Sequence, residues 1–127
     1  MNELQSSKVP ERKSYKVKET AMTIQNIFEN FGGELKEEFF EEILAGRDFK
    51  MERIVSEGHS SPENFWYDQD KNEFVLLISG GAVLEFENNE LIEMKPGDYL
   101  IIPAHKKHRV AKTDSEQKTF WLALHFV

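Results

Sequence analysis

From residue 49 onward, apolar and polar positions alternate in short runs separated by turn-forming residues, a pattern that predicts strands. Phe49, Met51, Arg53 and Val55 share one side of a first strand over residues 49–56. A loop over 57–62 and a short aromatic segment over 64–69 come next, then an Asp70-Lys71-Asn72 turn. Residues 73–79 are apolar at both parities, which predicts cover on both faces. Gly80 and Gly81 lead into 82–87, where Ala82, Leu84 and Phe86 alternate with Val83, Glu85 and Glu87. Asn88-Asn89 reads as a tight hairpin turn. Strands over 91–94, 98–102, 108–112 and 119–126 complete the series, with Pro96-Gly97 as a further turn. Many short strands at this spacing predict a β-sandwich or small barrel.

Ahead of residue 49 the period changes. Leu35, Phe39 and Ile43 recur every fourth residue, and Phe40 and Leu44 widen the stripe, which predicts an amphipathic helix over 34–45. Glu34, Glu37 and Glu38 suit the positive end of its dipole, and Gly46 suits its C-terminal stop. Residues 22–28 half-alternate and read as a short strand. The first twenty residues keep no period. They carry Lys8, Arg12, Lys13, Lys16 and Lys18 against Glu3, Glu11 and Glu19, and read as a flexible basic arm over 1–20 ahead of one domain over 21–127.

Composition narrows the function classes. The 127 residues suffice for one domain. There is no cysteine, so disulfides, thiolate metal sites and cysteine nucleophiles are excluded. A polar start and the lack of any apolar run near the roughly 20 residues of a membrane span lead us to expect a cytoplasmic protein with no membrane partner. The net charge of -7 argues against nucleic acid and leaves a small molecule as the expected partner.

Two spaced motifs carry chemistry. Glu73 is followed by six residues and Gly80; Gly97 is followed by five residues, Pro103, and then His108 five positions later. Together they resemble the two signature motifs of the cupin superfamily. The stretches 53–59, 65–70, 103–105 and 121–125 further resemble small single-domain bacterial cupins of unassigned function, over roughly residues 49–126. The resemblance implies an all-β double-stranded β-helix, or jelly-roll, barrel, here with one N-terminal helix. The chain also departs from the pattern. The paired histidines that normally open the first motif fall on Trp66 and Asp68, or on Tyr67 and Gln69. His105 stands where glycine is usual, and Lys112 where asparagine is usual.

The resemblance implies a divalent metal (iron, manganese, nickel or zinc) inside the barrel, held by Glu73 and His108, with Asp68 and His59 as further donors. Trp66, Tyr67, His105 and His125 are candidate pocket residues, His125 because it shares a strand side with Trp121 and Ala123. Three functions stay open at this point: a metal-dependent enzyme acting on a small molecule; a non-catalytic binding or sensing module with a degenerate, metal-free site; and a metal-free isomerase or epimerase of the sugar-nucleotide type. The last would use His59 or His108 as base and Tyr67 or Tyr99 as acid. Spare apolar surface on the expected helix and on the 73–79 strand predicts a homodimer.

Overall fold

The architecture comes from a computed structural model that describes residues 22–29 and 33–127; the expected arm over 1–20 lies outside them. Eight strands follow in order: β1 Phe39–Ala45, β2 Phe49–Ser56, β3 Asn72–Ser79, β4 Ala82–Phe86, β5 Glu90–Met94, β6 Tyr99–Ile102, β7 His108–Thr113 and β8 Thr119–Phe126. They form a five-stranded sheet in the order β1-β2-β8-β3-β6 and a three-stranded sheet in the order β5-β4-β7. Every pairing is antiparallel. The inner faces of the two sheets enclose one core that includes Leu77, Leu84, Phe86, Met94 and Trp121.

Strand alternation sets which residues face inward, and register stacks them in layers. At the closed end, Ile54, Trp121 and Leu77 stand opposite one another across β2, β8 and β3. The next layer is Glu52, Ala123 and Val75, and the next is Lys50, His125 and Glu73. Within three layers the inner face therefore passes from wholly apolar to wholly ionisable. The apolar end is the core, and the polar end lines a cavity.

The helix expected over 34–45 does not form; the described residues contain no α-helix, only a 3-10 turn at Glu87–Asn89. Residues 39–45 are strand β1, at the sheet edge. Phe39 to Glu42 pair in step with Val55 to Glu52, and then Leu44, not Ile43, pairs with Met51. Ile43 is the extra residue of a β-bulge, which shifts the alternation by one. A strand with such a shift spaces its apolar residues in threes and fours, as a helix does. Pairing with β2 decides between them, because the edge strand gains ladder hydrogen bonds and the Glu41–Arg53 ion pair at 2.6 Å. The apolar surface invoked for a homodimer is thus a sheet edge, where Phe40 and Ile43 are exposed.

Two smaller expectations also change. Residues 22–28 form no strand; their path is fixed by Arg53, whose Nη1 donates to the carbonyls of Ile27 at 2.9 Å and Glu29 at 3.2 Å. The outer face of β3 is half-buried, with Phe74 packed on Tyr99, in place of the cover expected on both sides.

Gly80 ends β3 with φ +94°, and a Cβ there would lie 2.3 Å from Thr119 Oγ1 and 2.6 Å from Thr119 Cα. Backbone cannot yield as a flexible side chain can. Gly80→Ala is expected to destabilise the fold by at least about 2 kcal/mol in urea denaturation, whereas Gly33→Ala, which meets nothing within 4 Å, should leave it nearly unchanged.

Candidate functional site

A cavity of about 510 Å³ opens between the sheets. Its floor is apolar: Ile54, Val75, Leu84, Ile102, Val110 and Trp121. Its walls carry Glu38, Glu52, Tyr67, Glu73, His108 and His125. The inner face of β3 supplies Glu73, and β7, from the opposite sheet, supplies His108. Their side chains meet with Glu73 Oε1 at 3.5 Å from His108 Nε2, and they are only 8% and 6% exposed.

The His108 ring is fixed on all sides. Its Nδ1 lies 2.9 Å from the Lys106 carbonyl, so Nδ1–H donates there and Nε2 is directed at Glu73. Tyr67 stacks on one side of it at 5.5 Å, and Phe86 lies tilted at 5.9 Å. The aromatic segment is held to β7 by an isolated antiparallel bridge, in which Tyr67 N donates to His108 O at 2.7 Å and His108 N to Tyr67 O at 3.1 Å.

Beside this pair stands a second. His125 is the direct cross-strand partner of Glu73 on β8, and its Nε2 lies 3.1 Å from Glu52 Oε1 on β2. Deeper in, Trp121 Nε1 donates to Ser56 Oγ at 3.3 Å, and the Ser56 hydroxyl donates to the Glu38 carboxylate. That contact brings the strap of residues 34–38 against the cavity.

The electrostatics follow from burial. Desolvation alone would lower the pKa of His108, but the Glu73 carboxylate, the Lys106 carbonyl and the Glu73 charge together carry it above the ordinary 6.5. Tyr67 is pushed above 10.0 by burial and then by the charges of Glu38, Glu73 and Glu52. Glu52 is held below 4.5 by its bond to His125, which outweighs its own burial; Lys50 and the His125 charge lower it further.

The sequence-derived candidates divide. Glu73 and His108 are brought together; His125 and Tyr67 join them on the cavity wall. His59 and Asp68 do not. His59 accepts from Glu57 N through Nδ1 at 2.8 Å, so Nε2–H donates to the Lys36 carbonyl at 3.1 Å, and the residue ties down the strap. Asp68 binds His105 Nδ1 at 2.8 Å in an exposed pair. His105 has φ +63°, a left-handed conformation that glycine takes without strain, which accounts for the glycine usual at that motif position. Trp66 is half-buried and outside the cavity lining. Sequence reasoning missed Glu52 and Glu38. The alternation Lys50, Glu52, Ile54 opposite the Met51, Arg53 side was a usable signal for Glu52; Glu38 had none.

As a metal centre the donor set fits in part. Two donors 3.5 Å apart suit neighbouring positions on one ion with bonds of about 2.1 Å, and the carbonyl-anchored imidazole is the usual orientation of a histidine ligand. Among the described residues, however, no three His, Cys, Asp or Glu side chains are grouped to hold an ion.

Comparison with known proteins agrees with this architecture. The family profile described as Cupin domain matches residues 51–125. A solved structure from Ralstonia eutropha JMP134, provisionally named a mannose-6-phosphate isomerase, is 41% identical with a TM-score of 0.78, covering 82% of this chain and 97% of its own. A cupin superfamily protein from Desulfitobacterium hafniense DCB-2 is 17% identical with a TM-score of 0.63, covering 76% and 84%. A Streptococcus pyogenes protein of unknown function is 12% identical with a TM-score of 0.67, covering 89% and 93%. The last two show likeness of fold alone. No curated protein matches the chain.

A raised folded-state pKa means that His108 stabilises the fold in its protonated form. That contribution is full below the unfolded value near 6.5 and is lost as pH rises through the folded value. The stability advantage of the native chain over His108→Gln is therefore expected to be larger at about pH 6 than at about pH 9, as read by urea denaturation at both. An advantage independent of pH would remove the ion pair from the account.

Proposed function

The chain belongs to the cupin domain family, and from that premise we propose that it binds a small polar molecule in the cavity and transfers a proton on it through Glu73 and His108. The observation that carries the reading is the buried Glu73–His108 pair on the wall of a 510 Å³ cavity. A concave site of this size with a few converging polar groups and a shifted titration suits a small molecule.

Each residue has a part. The Glu73 carboxylate can only accept when ionised, so it is the base. Protonated His108 keeps Nδ1–H on the Lys106 carbonyl and directs Nε2–H toward Glu73; once Glu73 has taken the substrate's proton and lost its charge, Nε2–H can serve a developing negative charge or the return of a proton. Tyr67, held in its neutral form, retains a hydroxyl proton to donate to substrate oxygen. The apolar floor keeps the pair in a medium of low dielectric, where such interactions are stronger than in water. The provisional isomerase name of the Ralstonia relative is consistent with this reading, since aldose–ketose isomerisation moves a proton from carbon and returns one.

Deuterium wash-in at carbon, followed by proton NMR in heavy water, tests the proposal with mannose 6-phosphate, fructose 6-phosphate and mannose as probes. Wash-in is expected from at least one probe, reduced about 100-fold or more in Glu73→Gln and in His108→Gln. No wash-in from any probe would overturn proton transfer.

A second reading is favoured by the 3.5 Å spacing alone: a divalent ion of iron, manganese, nickel or zinc between Glu73 and His108. Such an ion would supply Lewis-acid polarisation of a bound carbonyl or hydroxyl. Metal content measured by plasma mass spectrometry, on protein without a polyhistidine tag, is then expected near one equivalent and close to baseline in His108→Ala. Equal content in both, or no uptake on addition, sinks this reading.

A further inference from the structure

Charge is distributed unevenly along the cavity. Its interior holds the carboxylates of Glu38, Glu52 and Glu73, whose fields converge on Tyr67. Its outer end holds cations. Lys71 stands at the bend before β3, two residues outward from Glu73; Lys50 is the cross-strand neighbour of His125; Arg47 lies in the turn between β1 and β2. All three line the cavity.

Lys50 reaches Glu52 only at 3.8 Å. Arg47 and Lys71 make no hydrogen bond or ion pair among the described residues. Asp70 also lines this end, so three cations and one carboxylate leave two net positive charges at the mouth. In a chain with 23 acidic and 16 basic residues, indifferent placement would give a mouth of the opposite sign.

We propose that Arg47, Lys50 and Lys71 form an anion-binding mouth for the phosphoryl group of a phosphomonoester, whose hydroxyl-bearing remainder extends inward to Glu73 and His108. The inference rests on the cavity being the ligand site, as proposed above. A phosphomonoester dianion matches the net charge at the mouth. Guanidinium offers it a two-pronged hydrogen bond, and the ammonium groups offer compact point charges. The same dianion is repelled from the interior, where the carboxylates of Glu38, Glu52 and Glu73 outnumber the imidazolium of His108 in a medium of low dielectric. Those carboxylates instead accept hydrogen bonds from hydroxyls. Repulsion inside and attraction outside thus set one orientation: phosphoryl group outward, reacting carbons inward.

Calorimetric titration of the full chain at constant ionic strength tests this, with inorganic phosphate, glycerol 3-phosphate, glycerol and succinate as probes. Both phosphates are expected to bind and glycerol is not. Affinity for each phosphate should fall about tenfold in Arg47→Gln and in Lys71→Met, and Lys71→Arg should keep it within about threefold. No phosphate binding, unchanged affinity in both neutral variants, or tighter binding of succinate than of phosphate would overturn the mouth. The two proposals fail separately. Wash-in that needs Glu73 and is indifferent to Arg47 and Lys71 overturns the mouth alone. Phosphate binding that needs Arg47 and Lys71, without wash-in from any probe, overturns proton transfer alone.

Discussion

The register of β8 between β2 and β3 is the constraint on which the rest of the molecule depends. It sets His125 opposite both Lys50 and Glu73, and Trp121 opposite both Ile54 and Leu77. A slip of one residue would turn Trp121, Ala123 and His125 outward together. Burial of Trp121 prevents that slip, and with the register held, three strands present their ionisable residues at one end of the inner face. The apolar layer and the polar layer are two consequences of one alignment.

The second sheet completes what the first begins. Glu73 would be a buried, uncompensated carboxylate without His108, which arrives from β7 with its ring already oriented by the Lys106 carbonyl and enclosed by Tyr67 and Phe86. Removing either partner of a buried pair leaves the other charge uncompensated, so the pair ties the two sheets together electrostatically. The Glu52–His125 pair repeats the arrangement within one sheet. The cavity wall thereby holds Glu52, Glu73, His108 and His125 as two pairs.

Much of this was legible in order along the chain. Alternation placed seven of the strands within a few residues, because a sheet with one face inward imposes a period of two. Gly80 was readable from its motif, and the structure supplies the reason in the close approach of Thr119. The helix over 34–45 was misread because a β-bulge at Ile43 imitates a period of four, and only pairing with β2 distinguishes the two. His59 and Asp68 were placed by spacing near the motif. Each instead found a local partner, His59 in the strap and Asp68 in His105.

By itself the sequence determined the all-β class, the strand order along the chain and the prominence of Glu73 and His108, because alternation, turn glycines and motif spacing are properties of neighbouring residues. The tertiary structure alone decided that Glu52 and His125 stand beside that pair, that Glu38 reaches the cavity through Ser56, and that Arg47, Lys50 and Lys71 gather at its mouth. His125 and Lys71 lie far along the chain from Glu38, Arg47, Lys50 and Glu52. Nothing local relates their charges until cross-strand register and sheet packing bring them to the same wall.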